Sequence, residues 1–403
     1  KARTMSGFAQ PSSTLVNVAE HAELTLVRLM AESAPKKKLS PKFEADCEAC
    51  ISNADAPALI RTILRDAGAM AALFVMDPVE DAISAFTILA ALLDRVGADR
   101  PGEEAGLAAE LAETVGSNKA FDAGKRIAML SALYNLRTDG GEKCRLLTRI
   151  VALSAESDPK MLASRHALGS ILEADNITSL VSAWNTASVA EHRALLRTIA
   201  DGVRKVGDED SISRNQHFLL LLVETYTEES EVDKAGLEAA KDATVGAIRD
   251  PVKLVTEQRS MLSMTAVQAL SKNTETLSLY SLLQVFQEGK LEDYEAFVSK
   301  NGTKVLEKNG LNPEDCVRYM RLLSLCSLAA EHEEIPYAAI VSTLKVQPEE
   351  VESWVITAVS SGLLLAKMDQ LQQVVMVERC VVRRFGIEEW KSLQTRLHTW
   401  KKN

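Results

Sequence analysis

Residues 334–384 read EIPYAAIVSTLKVQPEEVESWVITAVSSGLLLAKMDQLQQVVMVERCVVRR. Pro336 has no N–H to give to a ladder, so Glu334-Ile335-Pro336-Tyr337 suits a short edge strand or the start of a helix. An apolar-patterned run to Leu344 follows. Gln347-Pro348-Glu349-Glu350 opens a second helix, because Pro fits a first turn and carboxylates suit the positive end of the dipole. Val351, Trp354, Val355, Ala358 and Val359 recur at three- and four-residue steps, which predicts one apolar face between Glu349 and Ser361. Gly362 supplies the left-handed residue that ends many helices. Two β-rich segments remain, Leu363–Met368 and Gln373–Val382, joined by the polar turn Asp369-Gln370-Leu371-Gln372.

Strand, helix, turn, helix, hairpin is the order of a winged helix, a variant of helix-turn-helix. Such an element reads DNA when its second helix carries Arg, Lys, Asn or Gln toward base edges and cations flank the phosphates. Here that helix opens with Glu349, Glu350 and Glu352 and holds no Lys or Arg, and the wing turn holds Asp369. Repulsion from phosphates dominates, so the pattern predicts a protein-binding module. A winged-helix nucleic-acid-binding protein is the alternative of another class, and it requires strongly salt-dependent binding by residues 319–385.

Outward from this stretch, 403 residues exceed one compact core and predict two or three units or an extended repeat. A chain that is 46% hydrophobic, 5% aromatic and −10 in formal charge reads as Ala/Leu-rich and helical, with a balance unsuited to general nucleic-acid binding. No apolar run reaches the ~20 residues that cross a bilayer, and no signal-peptide pattern precedes the first helix. Residues 1–12 read as disordered. A helix pattern spans Ser13 to Ser33, and Pro35-Lys36-Lys37-Lys38-Leu39-Ser40-Pro41 reads as a solvated linker, with a nuclear signal or phosphate contact as its other reading. From Pro41 to Asn309 helices follow one another. Asp77-Pro78, Asp158-Pro159 and Asp250-Pro251 mark helix starts, and Ser188-Val189-Ala190-Glu191 is a capping box. The expected organisation is a flexible segment with one helix (1–40), a helical-repeat array (41–318), a winged-helix part (319–385) and a C-terminal amphipathic helix (386–403). The fold class is mainly α: a stacked helical array, then a winged helix, then one last helix. The helix after Asn312-Pro313 is apolar on most sides and is expected to be buried between array and winged helix.

Trp184-Asn185, Leu195-Leu196-Arg197, Tyr226-Thr227-Glu228-Glu229, Ile248-Arg249-Asp250-Pro251 and Met320-Arg321-Leu322-Leu323 form one set of residue groups. Val351 to Ile356, Lys367-Met368-Asp369-Gln370, Arg384-Phe385-Gly386, Trp390, Leu393 and Trp400 extend it. Together they resemble the PCI family, shared by the proteasome lid, the COP9 signalosome and eukaryotic translation initiation factor three. These groups cover roughly the second half of the chain, and their details are most similar to the initiation-factor members; the PCI helical part would then begin near residue 190. The resemblance implies a cytoplasmic, non-catalytic scaffold. Its partners would be other PCI and MPN subunits and the small ribosomal subunit, with RNA contact through the complex and no membrane. It implies assembly of a PCI/MPN core that promotes preinitiation-complex formation. A PCI subunit of the COP9 signalosome or proteasome lid is the alternative.

The residues also nominate docking surfaces of their own. Strict alternation in the last strand puts Val374, Met376, Cys380 and Val382 on one face and Val375, Val377 and Val381 on the other. Both faces are apolar, so one needs a cover and an exposed strand edge invites a neighbour's strand; burial within its own chain is the other reading. The partner-binding residues expected there are Val374, Val375, Met376, Val377 and Val381. In the last helix Ile387, Trp390, Leu393, Leu397 and Trp400 form one stripe that suits a partner helix. Arg383, Arg384, Lys391, Arg396, Lys401 and Lys402 make this end basic, and they read as a solvated face. No catalytic, cofactor-binding or metal-binding residues are expected. No P-loop or Gly-x-Gly-x-x-Gly occurs, the six histidines form no metal-binding pair, and Cys47-Glu48-Ala49-Cys50 lacks further ligands nearby.

Overall fold

The computed structural model describes residues 22–35, 39–119, 121–257, 259–383 and 387–402. The chain divides into two compact units, Lys1–Phe218 and Leu219–Asn403. The linker Lys36–Lys38, residues 1–12, the first half of the Ser13–Ser33 pattern and Arg384-Phe385-Gly386 lie outside the described residues.

In the first unit helices follow one another with aspartates at their starts. Asp55, Asp66, Asp122 and Asp139 each accept a backbone N–H from the first turn of the next helix, at 3.2, 2.8, 2.9 and 2.9 Å. These bonds satisfy donors that a helix N-terminus otherwise leaves orphaned. Cations close the opposite ends. Lys125 Nζ donates to the carbonyls of Phe74 and Met76 at 3.1 and 2.9 Å, and Arg126 Nε donates to Val115 O at 3.1 Å. Two neighbouring residues thus terminate two earlier helices, Ala67–Val75 and Glu103–Ser117. Helix Gly140–Ser157 packs between Ala123–Leu136 and Val189–Arg204. A Cβ at Gly140 would stand 2.7 Å from Trp184 Cα, so glycine lets that backbone approach. Trp184 is buried there, edge-on to Tyr134.

The capping box at Ser188 forms as read, and Leu195, Ile199 and Val203 are buried behind it. The start at Asp158 does not extend into a full helix. Asp158 caps as expected, at 3.1 Å from Lys160 N, but the chain makes only the short 3-10 turn Pro159–Leu162. The carbonyls released by this break are collected by Arg214, whose guanidinium donates to Leu162, Gly169 and Leu172 at 2.8, 3.0 and 3.2 Å. A long-range cation replaces the helical ladder.

The second unit ends in the winged helix. Helix Pro313–Glu331, capped by Asn312, buries Cys316, Met320, Leu322, Leu323, Leu325 and Cys326. It packs on helices Lys234–Arg249 and Leu291–Asn301 on one side and on the winged helix on the other. Its all-round apolarity therefore has the expected cause, and residue 318 lies within it. Then come β1 (Glu334–Pro336), helix Tyr337–Leu344, the 3-10 turn Pro348–Glu350, helix Val351–Ser360, β2 (Leu364–Asp369) and β3 (Val374–Cys380). Gly362 has φ +76°, the left-handed stop expected of it. Asp369 Oδ1 accepts from Leu371 N and Gln372 N, both at 3.0 Å, and so folds the wing turn.

The three strands run antiparallel in the order β1-β3-β2. This corrects two details. First, β3 is the central strand and not an edge, because β1 takes its second side: Ile335 pairs with Val375 and Pro336 with Val374. Second, strict alternation fails in β3. Arg379 faces Leu365 while Val377 faces Ala366, so Glu378 is an extra residue in a bulge. The bulge reverses the parity, and Cys380 shares the inner face with Val375, Val377 and Leu364. Val374, Met376 and Arg379 share the outer face.

Candidate functional site

The outer face of the sheet and the second helix of the winged helix form one candidate surface. Val375 is buried on the inner face, against Ile335 of β1. On the outer face Met376 and Leu365 are exposed, and Lys367 pairs with Glu378 at 2.5 Å between exposed side chains. Of the five strand residues expected to bind partners, Val374 and Met376 reach this face. Val375 and Val377 point inward, and Val381 lies past the strand, its N–H bonded to Leu363 O at 2.9 Å. Among the described residues, the outer sides of both β1 and β2 lack a neighbouring strand, and the β2 side is the longer, six residues against three.

Acid dominates the position where a DNA reader would put cations. Gln347 N donates to Glu350 Oε2 at 3.1 Å, which fixes Glu350 at the helix start. Glu352 accepts from Gln370 Nε2 at 2.9 Å and from the Tyr337 hydroxyl at 3.4 Å, linking the helix to the wing. Burial, and then the Glu352 charge, raise the Tyr337 phenol above its ordinary pKa, so it stays a donor at neutral pH. Ile356 stands exposed on the free side of this helix, and the Trp354 ring lies 5.6 Å from the guanidinium of Arg321. The helix start offers carboxylates that repel phosphate, while the sheet adds a few apolar side chains and the exposed Lys367 and Arg379, a mixture that suits a protein partner.

A second candidate surface is helix Ile387–Lys402. Trp390, Leu397 and Trp400 of the expected stripe are 61, 56 and 80% exposed. The side chains of Ile387 and Leu393 lie outside what the structure describes.

Arg383, expected on a solvated basic face, is a half-buried staple. Its Nη1 donates to Gly289 O, Leu323 O and Ser327 Oγ at 3.0, 3.2 and 2.9 Å, and its Nη2 donates to Phe286 O at 2.7 Å. These acceptors include the carboxyl end of helix Leu277–Glu288, where the dipole favours a cation. Burial pushes the guanidinium down from its ordinary value to about 10, so it remains charged at neutral pH. Beside it Cys326 Sγ lies 3.0 Å from Val381 O. No periodicity marks such a residue. Its only trace in the sequence is an arginine directly after an apolar strand.

Among the described residues, no group of three or more His, Cys, Asp or Glu side chains is placed to hold a metal. Cys47 is buried, and burial pushes its thiol up to about 12, far from a nucleophilic thiolate. No described helix is long and apolar enough to cross a membrane.

Comparison with known proteins adds to this geometry. The family model of the PCI domain matches residues 291–379, all within the second unit. Eukaryotic translation initiation factor 3 subunit M of Aspergillus terreus is 29% identical over 336 residues, covering 81% of this chain and 69% of that protein. The Nematostella vectensis subunit M is 32% identical, covering 49% of each chain. The Dictyostelium discoideum subunit M is 31% identical, covering 56% of this chain and 54% of its own length. The matched regions thus span from about half to just over two thirds of the relatives' own lengths.

Proposed function

We propose that this chain, a PCI-domain protein similar over most of its length to subunit M of eukaryotic translation initiation factor 3, is a non-catalytic scaffold subunit of that factor. In this reading it helps assemble the PCI and MPN core, which engages the small ribosomal subunit in the cytoplasm and promotes preinitiation-complex formation. The carrying observation is the exposed stripe Trp390, Leu397 and Trp400 on the last helix. Tryptophans left in water on a helix face are the usual anchors of a partner groove, and each supplies a large apolar area with one polar tip. The winged helix offers a second docking face through Met376, Leu365 and Ile356, framed by Glu349, Glu350 and Glu352. The carboxylates at the start of its second helix, a helix without Lys or Arg, argue for protein over nucleic acid there.

The test removes residues 386–403 from the chain and purifies the factor through another subunit. The truncated chain is expected to leave the complex while its far-ultraviolet helical signal stays near that of the intact chain. Undiminished co-purification would mean the helix packs within its own chain, and the reading of this stripe would fall. Recovery of the intact chain with COP9 signalosome or proteasome-lid subunits, and without ribosomal small-subunit proteins, would move it to another PCI complex.

A further inference from the structure

A groove in the second unit, lined by none of the residues of the two surfaces above, has a different character. It holds about 510 Å³ and lies between helix Lys234–Arg249, the start of helix Leu277–Glu288 and helix Lys304–Lys308. Lys234 and Lys241 stand on one wall and Lys304 and Lys308 on the other. None of these four lysines has an ion-pair partner among the described residues. Two carboxylates, Glu238 and Glu275, also line the groove, so four cations face two anions in a chain whose formal charge is −10. The floor is apolar, with Leu237 and Val305 half-buried and Leu279 buried.

The spacing sets the shape of a ligand. Lys304 and Lys308 are one helical turn apart, about 6 Å along the axis, and Lys234 and Lys241 are two turns apart, about 10.5 Å. We propose that this groove docks an acidic amphipathic helix of a partner protein, with apolar side chains on the Leu237–Val305 floor and carboxylates on the lysine walls. Phosphate backbone fits less well. The lining has no aromatic ring on which a base could stack, and Glu238 and Glu275 would face the phosphates. A helical peptide avoids both problems, since it places carboxylates only where a turn brings them to a lysine. The volume admits a few side chains from one or two turns, so the surface recognises a helical segment and not a folded face.

Fluorescence anisotropy with the full chain tests this. The probe is a labelled helical peptide of roughly 15 residues, with glutamates at four-residue spacing on both flanks of a leucine stripe. Binding is expected to weaken as salt is raised. It should weaken about tenfold or more when the peptide's glutamates become glutamines, or when Lys304→Glu and Lys308→Glu are combined. The milder pair Lys234→Ala and Lys241→Ala should act in the same direction, and circular dichroism confirms that each variant is folded. A peptide with lysines for glutamates should regain affinity for the charge-reversed chain. Lys160→Glu, an exposed residue of the other unit, should change nothing. The proposal is overturned if the acidic peptide fails to bind, or if the groove and Lys160 variants lose affinity equally. A single-stranded oligouridylate that binds more tightly than the peptide also overturns it, by assigning the groove to phosphates.

Discussion

Replacing Arg383 by Met keeps the aliphatic stem and deletes the guanidinium that joins the end of the winged helix to two helices. The wild-type energetics follow from opposing terms. Lowering the pKa from 12.5 to about 10 corresponds to about 3 kcal/mol of desolvation. Against this stand four charge-assisted hydrogen bonds, each worth roughly 1.5–3 kcal/mol before mutual dependence is counted. The methionine variant escapes the desolvation but strips a donor from the carbonyls of Phe286 and Gly289 at a helix end. A net loss of roughly 2–4 kcal/mol is expected. With a folded pKa of about 10 and a higher unfolded one, the arginine is essentially fully charged in both states up to about pH 8, so the loss should be flat from pH 6 to 8. Hydrogen exchange read by mass spectrometry is the suitable assay, because a chain of two units need not unfold in one step. Peptides covering 277–288 and 374–380 should lose protection roughly thirtyfold or more in Arg383→Met. Arg383→Lys should lose less, since an ammonium keeps the charge but not the planar fork. Protection within about threefold of wild type would refute the staple.

Two further outcomes follow from burial and capping. Cys47 and Cys326 have thiols pushed up to about 12 and about 11, so iodoacetamide at pH 7.5 should leave both unlabelled in the native chain and label both in urea, as peptide mass mapping would record. Asp139 has its carboxyl held below the usual range, first by the Thr186 hydroxyl and then by Glu142 N–H. A depressed folded pKa adds stability that is present above the unfolded value, about 3.9, and is lost as pH falls through the folded value. Asp139→Ala should therefore cost about 1 kcal/mol at pH 7 in urea melts, and Asp139→Asn should differ from wild type above pH ~4 and converge with it below.

What the sequence made legible was local. Pro348, Gly362 and Asp369 each act within four residues of themselves, so the helix starts, the left-handed stop and the wing turn could be read directly. Buried positions at helical spacing, such as Met320 and Leu323, were legible for the same reason. The misread details all depend on partners distant along the chain. The central position of β3 depends on β1, three residues long and some forty residues earlier. The bulge at Glu378 shifts a side-chain parity that alternation alone fixes the other way. Arg214 and Arg383 bind carbonyls between about 40 and 100 residues away, and a single arginine carries no periodicity to announce that. The same limit hid the lysine groove, whose two walls are about seventy residues apart.

The sheet has two unlike margins. Along β1 the ladder is three residues long and ends at Pro336, which has no amide hydrogen to offer, whereas along β2 six residues present a margin that no described strand occupies. A module built this way can be lengthened by main-chain pairing from one flank only. Main-chain pairing between such sheets therefore closes after two, margin to margin, and one imino acid keeps the far side from growing.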